Sequence, residues 1–191
     1  MPNPPTMDLM NQALIIEAGV RFETPLGIEV ELKARLVDRR TTEIRLKKLG
    51  GQKVREERQI DTYFDIGSKN KALRLRSSGR RWTLTYKGPC KPDRVRAREE
   101  FESRVQDGPE TVQILDRIGL HPYMEIQKYR TIYRFAGLVV GVDRVQGLGD
   151  FLEIEAKGGR TRSKILRLFS SLGIPRRDIV KETYVDLMAS K

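Results

Sequence analysis

The sequence predicts a mainly β fold: a closed antiparallel β-barrel of about eight strands, flanked by a few amphipathic helices. Three observations predict it. Apolar and charged residues alternate with a period of two through most of the chain from Ile28 onward, turn residues separate the alternating runs, and only three segments switch to helical spacing. Successive side chains of a strand point to opposite faces, so such a run carries one aliphatic and one charged face.

The first run, Ile28-Glu29-Val30-Glu31-Leu32-Lys33-Ala34-Arg35-Leu36, sets Glu29, Glu31, Lys33 and Arg35 on one face and the aliphatics on the other. Residues 59–65 read as a further strand. Cleaner alternation returns over 71–76 and 81–87, with Ser77-Ser78-Gly79 as the turn between them. Less regular runs cover 96–105, 125–135, 138–145 and 150–156; Ala136-Gly137 marks a hairpin, and Lys157-Gly158-Gly159 ends the last long strand. Helical spacing appears over 41–49, which stops at Gly50-Gly51. It appears again over 109–118, between Pro109 and Gly119, and over 161–172, which ends at Gly173. Residues 1–25, with Pro2, Pro4, Pro5 and Pro25 and one short apolar run, read as a flexible N-terminal extension to a single domain over 26–191.

Composition narrows the function. Of 191 residues, 37 are Lys or Arg and 26 are Asp or Glu; the net charge of +11 implies an anionic partner. Cys90 is the only cysteine, which removes intramolecular disulfides and Cys-based metal sites, and the single His121 argues against a His-rich zinc centre or a Ser-His-Asp triad. No apolar run reaches the roughly 18 residues that a bilayer requires, and no secretory signal is evident, so a cytoplasmic protein without a membrane partner is expected.

A charged strand face usually meets water. Here, however, some strands present Glu-x-Glu and others Arg-x-Arg or Lys-x-Arg. A barrel of about eight strands has room inside for side chains or one small ligand, and an unpaired buried charge costs several kcal/mol or more. Acidic and basic rows facing one another would offset part of that cost. A metal-bound polyphosphate would complete the balance, because its oxygens need cations and its metals need carboxylates.

Glu29-Val30-Glu31-Leu32-Lys33 resembles the Glu-x-Glu-x-Lys signature of the CYTH, or triphosphate tunnel metalloenzyme, superfamily. Further matching motifs follow in family order: Asp61-Thr62-Tyr63-Phe64-Asp65, Leu73-Arg74-Leu75-Arg76, Tyr86-Lys87-Gly88-Pro89, Arg98-Glu99-Glu100, Lys128-Tyr129-Arg130, Val142-Asp143, Gly147-Leu148-Gly149-Asp150-Phe151 and Glu153-Ile154-Glu155. The resemblance spans residues 28–188, and His121-Pro122 through Glu153 looks most like the class IV adenylate cyclases, which convert ATP to cyclic AMP and pyrophosphate with Mg2+ or Mn2+.

The resemblance implies roles. Glu29, Glu31, Asp143, Glu153 and Glu155 would hold the metal, two ions being expected. Lys33, Arg74, Arg76, Lys87, Lys128 and Arg130 would bind the triphosphate, and Glu29, Glu31, Lys33 and Arg130 would carry the catalytic burden. Oxygen-only ligation suits Mg2+ or Mn2+, and guanidinium forks suit phosphate. Arg98 and Glu100 share a face, either lining the interior or forming an ion pair. Phe64, Trp82 and Tyr133 read as packing residues and His121 as a turn residue rather than a base; Lys181 and Tyr184 are candidates to close one mouth. An inorganic or thiamine triphosphatase on the same fold is the nearest rival reading. A nucleic-acid binding module is the more distant one, because Glu-x-Glu rows beside the cations would repel a phosphate backbone. No nucleic-acid partner is expected, and a homodimer is left open.

Overall fold

The computed structural model describes residues 28–89, 96–157 and 162–191, with the side chains of 28, 29, 96, 97 and 157 excepted. The expected N-terminal extension lies outside the described residues. The strands are β1 (Ile28–Arg35), β2 (Gln52–Phe64), β3 (Ala72–Ser78), β4 (Arg81–Lys87), β5 (Arg96–Val105), β6 (Pro122–Phe135), β7 (Leu138–Val145), β8 (Gly149–Lys157) and β9 (Ile179–Val180). Helix α1 (Arg39–Lys48) follows β1, α2 (Gly108–Arg117) follows β5, α3 (Arg162–Ser171) follows β8, and α4 (Tyr184–Ala189) follows β9.

All nine strands form one antiparallel sheet in the order β5-β4-β3-β2-β6-β7-β8-β1-β9. This corrects the predicted closed eight-stranded barrel. The edge of β1 away from β8 is divided: Ile28 to Glu31 face β5 in four register pairs, whereas Lys33 and Ala34 pair with β9. A continuous seam between the first and last of eight strands is therefore not what the chain forms, because a C-terminal strand takes up part of the edge that closure would need. Strand β2 is also longer than predicted. Its first half, Gln52 to Glu56, is exposed and charged on both faces, and it is held as a strand by its partner β6 rather than by any pattern of its own.

The aliphatic faces point away from the charged ones and are covered by helices, as the alternation implied. Val30, Leu32 and Ala34 of β1, Val140 and Val142 of β7, and Leu152, Ile154 and Ala156 of β8 pack with Leu46 of α1 and with Ile165, Leu168, Phe169 and Leu172 in and beside α3. Leu115 of α2 packs with Phe64 and Leu75, with Trp82 and Leu84 alongside, so Phe64, Trp82 and Tyr133 are all packing residues. At the β6–β7 hairpin both central residues have positive φ, Ala136 at 48° and Gly137 at 80°, the conformation that matches the twist of a two-residue turn. Among the described residues no helix is long and apolar enough to cross a membrane.

Candidate active site

The charged faces of β1 to β8 line a cavity of about 1200 Å³. Register explains which side chains meet there. Across β1 and β8, Lys33 lies opposite Glu153 and Glu31 opposite Glu155; across β6 and β7, Arg130 lies opposite Asp143; across β2 and β3, Asp61 lies opposite Arg76. Residues two apart on a strand extend each row, so the cavity wall is a lattice of alternating charges.

One side of the cavity is rich in cations. Asp61, 1% exposed, accepts a bidentate pair of hydrogen bonds from Arg76 (Nε 2.6 Å, NH2 2.7 Å), with Arg74 at 3.7 Å and Lys128 at 3.8 Å. Burial alone would raise the Asp61 carboxyl; Arg76, then Arg74 and Lys128, outweigh it and hold the group far below the usual carboxylate range. Further along this wall Lys87 pairs with Glu100 at 2.9 Å, so of the two readings for Glu100 the structure shows both: it lines the cavity and forms an ion pair.

The opposite side is rich in carboxylates. Arg130 donates to both oxygens of Asp143 (2.7 and 2.6 Å), to Glu153 and to Glu155 (3.2 Å). Lys33 Nζ lies 3.1 Å from Glu153 and 3.8 Å from Glu31. Burial would raise Glu153, but Lys33 and Arg130 hold it well below its ordinary value, and Asp143 is lowered in the same way by Arg130 and Lys128. Lys128 sits between the two sides, 3.7 Å from Asp143; its burial and the neighbouring Arg130 charge push it down to about 8. Room for the Arg130 guanidinium comes from Gly141, where a Cβ would stand 3.0 Å from Arg130 Cζ.

The cavity thus gathers Lys33, Arg74, Arg76, Lys87, Lys128 and Arg130 with Glu31, Glu153 and Glu155. Asp143 is fully buried behind the wall, reaching the cavity only through Arg130, Lys128 and Tyr184. The Glu29 side chain lies outside the described residues. Arg98 lines the cavity; His121 is bound to Asp116 at 2.6 Å and Lys181 is exposed, and neither is among the lining residues. The sequence assigns Asp61 no role and gives Tyr184 only a place at one mouth. Asp61 was only one letter of a motif, although it shares a strand face with Gln59 and lies opposite an Arg-x-Arg strand. Tyr184, whose hydroxyl donates to Asp143 at 2.9 Å, belongs to a helix with no periodicity long enough to read.

Residues 27–184 match the CYTH domain family, and the chain belongs to that family. A Methanocaldococcus jannaschii protein named "Putative adenylate cyclase" is 31% identical over 172 residues, covering 84% of this chain and 98% of that protein. Among solved structures, the PH1012 protein from Pyrococcus horikoshii superposes with a TM-score of 0.79 at 27% identity, covering 84% of this chain and 99% of its own. A Hippeastrum structure shares the fold at a TM-score of 0.65 and 21% identity, covering 85% of this chain and 96% of that one. It is described as a "Putative adenylyl cyclase" with a dominant triphosphatase activity. The triphosphate tunnel enzymes of the family act on triphosphates and generally depend on a divalent metal.

The donor set tests whether such a metal suits this chain. Glu31 and Glu155 are cross-strand neighbours on one face with Glu153 two residues along, and all are oxygen donors suited to a hard cation. Like charges placed directly opposite repel unless a cation intervenes. As arranged, Glu153 and Glu155 turn toward Arg130 and Lys33, and among the described residues no three acidic side chains form a metal cage. The chemistry fits, with the acidic side chains held by the protein's own cations.

Proposed function

We propose that this chain is a metal-dependent triphosphate-processing enzyme, and within that class an adenylate cyclase that converts ATP to cyclic AMP and pyrophosphate. One observation carries the reading: a cavity with a cation-rich side and a carboxylate-rich side, which suits a polyanion together with its counter-cation. Arg74, Arg76, Lys87 and Lys128 bind the phosphates from one side, and Lys33 and Arg130 from the other. Glu31, Glu153 and Glu155, with Glu29 two residues before Glu31 on β1, would hold Mg2+ or Mn2+, whose positive charge would lower the cost of charge building on the phosphate oxygens, and Asp143, buried and bound by Arg130, would support the set from behind.

In the reaction the ribose 3′-oxygen attacks the α-phosphorus in line, the new P–O bond forms as the bond to the β-phosphate oxygen breaks, and pyrophosphate leaves with that electron pair. The cationic side stabilises the departing charge, and the buried wall positions the chain of phosphates while limiting water. The hydroxyl proton is lost to solvent or to a nearby base. The cyclase assignment is supported by the family and by the name of the archaeal relative. A triphosphatase, in which water attacks a terminal phosphorus from the same grip, is the second reading, motivated by the description of the Hippeastrum fold neighbour.

Purified protein incubated with ATP, thiamine triphosphate and tripolyphosphate, with Mg2+ or Mn2+, separates the two. Cyclic AMP with pyrophosphate is the expected product, and release of inorganic phosphate instead assigns a hydrolase. Glu31→Ala should abolish turnover with the fold retained by circular dichroism; near-normal activity in that variant overturns the placement of the metal.

A further inference from the structure

The aromatic ring that begins α4 connects the two sides of the cavity. Tyr184 is 4% exposed. Its place is fixed from the backbone outward: Thr183 and Asp186 form a reciprocal cap, Asp186 N donating to Thr183 Oγ1 at 3.0 Å and Thr183 N to Asp186 Oδ2 at 2.8 Å. Edge-on packing against Phe151, with centroids 5.1 Å apart, fixes the ring itself. Lys33 Nζ lies 3.9 Å from the ring centroid and Lys128 Nζ 5.1 Å, and the hydroxyl donates to Asp143, which also faces Lys128.

We propose that Tyr184 is a positioning residue of the triphosphate site: its ring, anchored through the hydroxyl to Asp143, holds the ammonium groups of Lys33 and Lys128 at the cavity wall, and it acts on the substrate only through them. The inference rests on the triphosphate reading and adds a role that neither lysine's own strand supplies. A lysine stem is long and rotatable; Glu153 and Glu31 attract the Lys33 ammonium and Asp61 and Asp143 that of Lys128, whereas the Tyr184 face stands beside both. An aromatic face attracts each cation without neutralising it, leaving the charge available to a phosphate.

Calorimetric titration of the full chain with tripolyphosphate tests this in four variants. Tyr184→Met keeps apolar bulk against Phe151 but removes the aromatic face, and should weaken binding roughly tenfold. Tyr184→Phe keeps the ring and should stay within about threefold of wild type. Lys33→Met removes one of the cations acted upon. In the Tyr184→Met/Lys33→Met double variant, the loss from the tyrosine change should shrink to a few-fold, because pairs that act through one another are not additive. A purely structural tyrosine would lower the thermal midpoint and give the same loss with or without Lys33. Full additivity in the cycle, or unchanged affinity in Tyr184→Met, overturns the proposal. Should Tyr184→Met not fold, Tyr184→Leu makes the same comparison. A wild-type chain that binds no tripolyphosphate sinks the functional reading itself, which the cycle alone leaves standing.

Discussion

The two sides of the cavity use the same residue types in opposite proportion. Around Asp61 three cations, Arg74, Arg76 and Lys128, converge on one carboxylate; around Arg130 and Lys33 four carboxylates, Glu31, Asp143, Glu153 and Glu155, share two cations. Neither cluster balances alone, and Lys128 lies within 4 Å of an acid in each, Asp61 and Asp143. A fold selected for stability alone would pair these charges one to one or replace them with apolar groups, since buried ion pairs seldom outperform well-packed hydrophobic residues. Sorting charges into unequal clusters makes sense when a ligand supplies the missing charge on each side.

The largest expected effect comes from removing a cation where cations are scarce. Arg130→Met strips Asp143 of both guanidinium bonds and takes a partner from Glu153 and Glu155, leaving Lys128 and the Tyr184 hydroxyl to compensate. About 3–5 kcal/mol of destabilisation is expected in urea unfolding. Arg76→Met leaves Asp61 with Arg74 and Lys128, so a loss of about 1–2 kcal/mol is expected there. Equal costs, or the reverse order, would break the contrast between the two sides.

Most of this contrast could be read from alternation, and the reason is geometric. Period two states which residues share a face, so Glu29-x-Glu31-x-Lys33, Arg74-x-Arg76 and Glu153-x-Glu155 announce charged rows through the order of residues alone. Three things resist such reading. Whether a sheet's ends meet depends on pairing between distant strands, and the division of the β1 edge between β5 and β9 leaves no trace in β1 itself. Elements as short as β9 and α4 have no room for a period, so Tyr184 could be placed near the cavity mouth but not against Lys33. Asp61 looks like any strand acid until β3 brings Arg74 and Arg76 to it.

Acid should probe the cation-rich side. Because the folded environment lowers the Asp61 pKa from its ordinary 3.8, its stabilising contribution is present in full above that value and is lost as the pH falls below it. The stability gap between wild type and Asp61→Asn, about 2 kcal/mol near neutrality, should therefore narrow steadily from about pH 4 to pH 2. A gap that stays constant across that window would mean that the three cations do not act on the Asp61 charge.

The smallest effect comes from the neighbouring residue on β7. Arg144 follows Asp143 but points to the other face of the strand, where its Nε lies 3.0 Å from Asp150 on β8. Chemically this is the same Arg–Asp fork as Arg130 with Asp143, yet Arg144 is 62% exposed while Asp143 is wholly buried. Water and salt screen the outer pair, and the entropy of fixing a long side chain cancels most of what remains. Arg144→Ala should move the thermal midpoint by no more than about two degrees and leave tripolyphosphate affinity unchanged. If it instead approached the effect of Arg130→Met, burial would not be what separates the two faces of β7, and the large cost assigned to the inner cluster would need another cause.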